Sequence, residues 1–340
     1  MKYPYKLPLF SAATLILAAL SYAPALANDH LTPLRLAIAP PSANRVAFLV
    51  AYDQGIYEKN GLDVDQFIPA GSAAQMLRDG MTINPDFVKP GGEPPPIATG
   101  LGTNLALVAT DATYPTDMVF LATLDDVMRG HIVVQPEITQ LEQLKGKRIG
   151  YTGGSRTQFV ALVFAEKMGW DPVYDISLMA NARMDALKSR RVDAIIANEN
   201  RLAEARASGF KSLLDVSEWN VPIAGTGVAV PRSWLKDNRD TVRRFIKSMI
   251  EADAMLKQNK GIALSSMQKW WGVTDKARQD LLYAGATDSP RKPYPSLAGI
   301  KKVMQVFDSN EMRKYKPEDF YDDSFIRELD DSGYIDSLYK

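Results

Sequence analysis

Leu34, Leu36 and Ile38 alternate with Arg35, Ala37 and Ala39, and the pattern stops at Pro40-Pro41. That period of two predicts a strand running into a loop. Ser42-Ala43-Asn44 then offers capping side chains to a helix with Phe48, Leu49, Tyr52 and Ile56 at three- and four-residue spacing, ending near Gly55 or Glu58. Asn60-Gly61 marks a turn, and Leu62-Asp63-Val64-Asp65-Gln66-Phe67-Ile68 alternates again as a second strand. Strand, helix and strand in that order imply a parallel pair with a crossover helix, the opening of an α/β domain.

Farther along, a stretch from Asn84 to Gly102 centred on Gly91-Gly92-Glu93-Pro94-Pro95-Pro96 predicts a loop that leads into a short helix at Ile97. Strands are predicted at Val119 to Leu124, Lys147 to Thr152, Val192 to Ala197 and Thr226 to Val230. Phe159, Val160, Val163, Phe164 and Met168 recur at helical spacing until Gly169, Arg183 to Ser189 reads as a helix, and Asn200 to Ala207 as a polar one. The most periodic segment runs from Asp240 to Lys257, with Val242, Phe245, Ile246, Met249 and Leu256 on one face and Asp240 placed as its N-cap. Short helices separated by prolines are expected from Gly261 to the end, and no internal repeat is present.

The N-terminus changes the picture of the compartment. Lys2 and Lys6, an apolar run from Leu7 to Tyr22 without an acidic residue, and Ala25-Leu26-Ala27 form the pattern of a secretory signal peptide, residues 1–27, with cleavage expected after Ala27 and a periplasmic destination. The run is interrupted by Pro8, Ser11, Thr14 and Ser21 and falls short of the roughly 20 residues a spanning helix needs, so a membrane-spanning chain is not expected. Of 340 residues, 313 would remain, more than one hydrophobic core usually serves, which predicts two lobes. With both leader lysines removed, 38 basic residues face 40 acidic ones, a balance without the footprint of a nucleic-acid or anionic-membrane partner.

Cysteine is absent, which excludes disulfides, thiolate chemistry and a lipidated cysteine. Only His30 and His131 are present, so a His/Cys zinc site is excluded by count and a His-based triad would rest on His131, which reads more simply as a strand-end residue. No catalytic residue, metal or cofactor is assigned.

In open α/β sheets, ligands lie beyond the carboxyl ends of the strands. That rule selects Pro41, Ser42 and Asn44 after the first strand, then Gly91, Gly92 and Glu93, then Gly153-Gly154-Ser155-Arg156-Thr157, then Asn198 and Glu199. In the third group, Gly154 permits close approach, while Ser155 and Thr157 hydroxyls, free N–H groups at the following helix start and the Arg156 guanidinium all favour an anion. The plain alternative is an ordinary strand–helix turn with Ser155 as a cap and Arg156 in water. The spacing matches neither a Walker loop nor a dinucleotide fingerprint. Glu199 could accept from a ligand amine, hold Arg156 or stand in solvent. Tyr114, Tyr151 and Phe159 lie near these loops as either an aromatic wall or core, and Trp219, Trp270 and Trp271 read as packing residues.

FLVAYDQGIYEKNGLDVD (48–65), LEQLKGKRIGYTGGS (141–155), ALKSRRVDAIIANE (186–199) and GVAVPRSWLKDNRDTVRRFIKSMIEA (227–252) occur in an order that resembles the nitrate/sulfonate/taurine-type and thiamine-pyrimidine-type substrate-binding proteins of ABC transporters. The resemblance covers roughly residues 34–252. It implies an α/β, two-lobed type II periplasmic-binding fold with a ligand cleft between the lobes: residues 31–129 and 223–340 form lobe one, residues 130–222 lobe two, and the chain crosses near Val127 to His131 and Val221 to Thr226. It also places Thr226 and Gly227 on the cleft wall.

Two departures stand out. Asn198-Glu199-Asn200 replaces an aromatic and Glu-Pro arrangement, and the Pro/Gly loop from Asn84 to Pro96 is long. Relatives that make the thiamine pyrimidine use a cysteine-rich motif, which this chain lacks.

The implied function is a monomeric solute carrier that closes on a small, anionic organic molecule, a sulfonate, carboxylate or related compound, and docks on an ABC transporter permease. Two other classes remain open: a periplasmic enzyme on the same fold, such as a dehydratase using Glu199 or Glu93, and a sensory receptor subunit.

Overall fold

A computed structural model describes residues 31–38, 41–78, 82–90, 97–99, 108, 117–153, 155–172, 177–179 and 183–340. The signal-peptide segment and His30, Gly91, Gly92, Glu93, Tyr114 and Gly154 lie outside the described residues.

Strand β1 (Thr32–Ala37) pairs in parallel with β2 (Leu62–Pro69), Leu34 opposite Val64, and β2 pairs with the short β3 (Val88–Lys89). The crossover between β1 and β2 is the helix α1 (Val46–Asp53), interrupted at Gln54-Gly55 and resumed as one turn, α2 (Ile56–Lys59). Helix α3 (Ala70–Arg78) follows β2. Strand β4 (Met118–Thr123) pairs antiparallel with the much later β10 (Gly227–Pro231), so the chain returns to this half after a long excursion. Ile97 does not open a helix: Ala98 forms an antiparallel bridge with Ala229, exchanging hydrogen bonds of 2.8 and 3.0 Å.

The excursion builds a five-stranded sheet of its own. Its order is β7 (Ser177–Met179), β6 (Arg148–Gly150), β8 (Ala194–Ala197), β5 (His131–Val134) and β9 (Lys211–Asp215). Strands β6, β7 and β8 run parallel, while β5 is antiparallel to β8 and β9. Its helices are α4 (Arg156–Met168), α5 (Arg183–Lys188) and α6 (Glu199–Ala207). Each half has its own apolar core: Leu34, Leu36, Leu121, Val228 and Phe245 meet in one, and Ile132, Ile149, Phe164 and Ile196 in the other. The architecture is thus α/β with two lobes.

Helix α7 (Arg232–Gln258) begins eight residues before the expected Asp240, with Pro231 as its N-cap and a single non-helical residue, Asn238. Asp240 is not a cap; its carboxylate pairs with Arg244 at 2.9 Å, one turn on, where the ion pair supports the helix it was expected to start. The apolar face from Val242 to Leu256 is buried as its spacing requires, and Phe245 stacks between Phe48 and Tyr57. Helices α8 (Lys260–Trp271), α9 (Lys276–Thr287), α10 (Leu297–Val306), α11 (Ser324–Asp331) and α12 (Tyr334–Ser337) complete the chain. Trp270 and Trp271 are buried, and the Trp270 ring lies 3.8 Å from that of Phe87.

The last helices dock on α7 through a buried carboxylate. Glu251, whose side chain is 5% exposed, takes Lys59 Nζ at 2.8 Å and the Tyr334 hydroxyl. Burial alone would raise this carboxyl, but the two hydrogen bonds together with the charges of Lys59 and Lys247 outweigh it and hold the pKa below the ordinary value of 4.5. A depressed carboxyl contributes stability above its unfolded pKa and loses it as pH falls through the folded one. Glu251→Gln is therefore expected to cost about 1 kcal/mol at neutral pH. The gap from the parent protein should close below pH 4.5, read from urea midpoints across pH; a gap that persists at about pH 3 would assign the loss to packing instead.

Candidate functional site at the lobe junction

Two segments carry the chain between the lobes, Leu124 to Gly130 and Val221 to Thr226, and they pair antiparallel. Val127 bridges Pro222, Met128 N–H donates to Val221 O at 2.8 Å, Ile223 N–H to Asp126 O at 2.9 Å, and Leu124 N–H to Thr226 O at 2.8 Å. Pairing of this kind satisfies the backbone groups of both segments where the chain crosses between the lobes.

At one end of this ribbon sits Asp125, its side chain 1% exposed. Asp125 Oδ2 accepts from Asn44 Nδ2 at 2.9 Å and binds the Arg156 guanidinium, which also donates to Thr226 Oγ1 at 3.1 Å. One carboxylate thus ties the first loop of one lobe, the ribbon and the first helical residue of α4 in the other. The rule on strand ends brings Asn44 and Arg156 forward and the family resemblance Thr226, but neither points to Asp125. Asp125 directly follows the apolar run of β4, and that strand end is the sequence signal for it.

Beside Arg156 lies a cavity of about 190 Å³ lined by Thr152, Ser155, Arg156, Thr157, Arg183, Asn198 and Glu199. That exceeds the roughly 150 Å³ that holds one benzene ring, so a small organic molecule fits. The turn before α4 is tightly braced: Ser155 Oγ donates to Thr152 O at 2.6 Å, Thr157 N–H is directed at Ser155 Oγ, and Thr157 Oγ1 accepts from Thr152 N–H at 2.9 Å. Ser155 is the N-cap, as its β-region backbone requires. Arg156 Nε is buried without a hydrogen-bond partner among the described residues.

Asn198 caps α6, its Oδ1 accepting from Arg201 N–H at 3.0 Å, so the helix begins at Glu199, one residue before its expected start. Glu199 faces the other lobe: a methyl group on Gly285 of α9 would stand 3.8 Å from its Oε1 and 2.8 Å from Ala43. Arg183, on α5, donates to Ile196 O at 2.5 Å and was not foreseen; no local pattern distinguishes it from a surface arginine.

Other expected positions lie around rather than in the cavity. Pro41 and Ser42 are buried next to Asn44, and Gly227 is a buried strand residue opposite Thr123. Phe159 packs in the core with its ring 6.5 Å from Phe307, and Trp219 stacks on Phe164. His131 opens β5; burial pushes its imidazole pKa down despite Asp215 3.9 Å away, which suits an uncharged strand-end residue. Among the described residues no cluster of His, Cys, Asp and Glu could hold a metal ion, and no helix is long and apolar enough to cross a membrane.

Two separately cored α/β lobes, a paired crossing and a cavity at strand ends define the type II periplasmic-binding fold. Comparison agrees. The family model described as NMT1/THI5 like matches residues 105–259. The periplasmic nitrate-binding protein NrtA from Synechocystis PCC 6803 superposes with a TM-score of 0.67 at 15% identity, covering 91% of each chain. The desulfurization enzyme DSZB shares the fold at a TM-score of 0.58 and 15% identity, over 88% of this chain and 99% of that one.

In sequence, the chain is 25% identical over 240 residues to the binding protein YtlA of Bacillus subtilis, 68% of each chain. It is 23% identical over 162 residues to a Brachyspira hyodysenteriae protein named as an ABC transporter periplasmic binding protein, covering 47% of this chain and 46% of that one. The chain is accordingly similar in sequence to a protein named as an ABC transporter periplasmic binding protein and in fold to a periplasmic nitrate-binding protein, the resemblance its ordered motifs implied.

Proposed function

We propose that the protein is the periplasmic solute-binding component of an ABC uptake system, closing its two lobes around one small organic molecule and presenting the closed form to a permease. The observation that carries this reading is the three-way tie of Asn44, Asp125 and Arg156 beside the cavity, which couples both lobes to the ribbon between them. The lobes are taken as residues 31–129 with 223–340, and 130–222. An acid group on the solute, sulfonate or carboxylate, would meet the Arg156 guanidinium and the hydroxyls of Ser155 and Thr157.

A solute that contacts both lobes stabilises the closed state by the contacts it makes only there. The test is small-angle scattering on protein stripped of ligand by mild unfolding and refolded, before and after return of the released solute, identified by native mass spectrometry. Compaction on return is expected; tight binding without compaction would sink hinge closure. An enzymatic reading has one observation in its favour, the Glu199 carboxylate on the cavity wall. Turnover of the bound molecule that disappears in Glu199→Gln would support it, and a solute recovered intact would count for the carrier.

A further inference from the structure

Arg156, the guanidinium best placed to receive an anion, is already matched. Asp125 holds it from behind, with Oδ1 buried, lacking a hydrogen-bond partner and 4.0 Å from Arg129 Nε. The carboxylate has no room to retreat towards the ribbon, because a single methyl on Gly225 would stand 2.7 Å from Asp125 O and 2.8 Å from its Oδ2. Among the described lining residues, the charged side chains are Arg156, Arg183 and Glu199; with Asp125 behind Arg156, and Arg129 paired with Asp288 at 2.5 Å, the formal charges cancel. A solute with an uncompensated negative charge would therefore meet no net positive charge in the site and would bring like charge towards two carboxylates, which disfavours it.

We propose that Asp125 is a built-in counter-ion that sets the charge class of the solute: the cleft takes a molecule with no net negative charge, any acid group on it balanced by an ammonium or amidinium of its own that faces Glu199. The proposal rests on the reading of the cleft as the binding site and narrows what that site accepts. Removing the Asp125 charge frees Arg156, so the variant gains affinity for a simple anion that the parent protein binds weakly.

Sodium sulfate is the probe, titrated against sodium chloride at constant ionic strength and read by calorimetry on the full chain stripped of its solute. The parent protein is expected to bind sulfate only weakly, and Asp125→Asn, equal in shape, to bind it at least about tenfold more tightly. Equal titration of both proteins overturns the proposal, and so does failure of a folded Asp125→Asn to bind sulfate. Glu199→Gln covers the case in which the first variant does not fold. It leaves the buried pair intact and should raise sulfate affinity at least about threefold by removing the second facing carboxylate; an unchanged affinity overturns the proposal.

The solute released from the parent protein gives an independent reading. A net anion refutes the counter-ion role while leaving lobe closure standing, whereas absence of compaction refutes closure whatever sulfate does.

Discussion

Asp125→Ala is expected to lose about 3–5 kcal/mol of folding stability, and Arg156→Ala a comparable amount, because each leaves the other charge buried without its partner. The side chains are 1% and 13% exposed, so both charges are largely withdrawn from water in the folded protein. The double alanine variant should cost clearly less than the sum of the two single changes, since once one charge is gone the other is the source of the penalty. Urea denaturation of the four proteins gives the coupling. Additive losses within about 0.5 kcal/mol would show that the two groups do not depend on each other, and the junction described above would lose its central contact.

The same pair explains which part of the site was legible in sequence. Local signals worked where local physics decides. Alternation at Leu34, Leu36 and Ile38 gave β1, helical spacing from Phe159 to Met168 gave α4, and Ser155 caps that helix as its type suggests. The strand-end rule selects Asn198 and Glu199, which line the cavity, but it treats both as loop after Ala197, whereas Asn198 caps the helix and Glu199 is its first residue.

The charge partnership was not legible. Asp125 and Arg156 are 31 residues apart on different elements, and only the antiparallel pairing of Val127 with Pro222 brings the ribbon against α4. Arg156 read in isolation looks like a free anion receptor, and its counter-ion changes that chemistry. The early start of α7 was hidden for a related reason. Trp234 and Leu235 pack on tertiary neighbours, whereas the strong periodic face begins only at Val242, after the irregular Asn238.

The C-terminal helices posed a further long-range problem, since proline spacing marks where they break and not what they cover. Helix α10 lies across the ribbon and onto the second lobe: Ile300 and Val303 enter that lobe's core, and Lys302 pairs with Glu166 of α4 at 2.8 Å. The contact is so close that only glycine fits at its centre. A methyl group on Gly299 would stand 2.1 Å from the carbonyl carbon of Ile223 and 2.3 Å from both its oxygen and the Ala224 nitrogen.

These neighbours are backbone of the crossing segment, which cannot rotate away as a side chain would. Gly299→Ala is therefore expected to cost about 3 kcal/mol or more, the upper end of overpacking penalties. Helix propensity alone would give the opposite sign, a gain of about 0.5–1 kcal/mol. Gly71 in α3 supplies the contrast, because a methyl there meets nothing within 4 Å, and Gly71→Ala should show that gain. Thermal unfolding of both variants decides the matter: if Gly299→Ala melts at or above the parent temperature, α10 does not rest on the ribbon, and bending between the lobes would proceed without it.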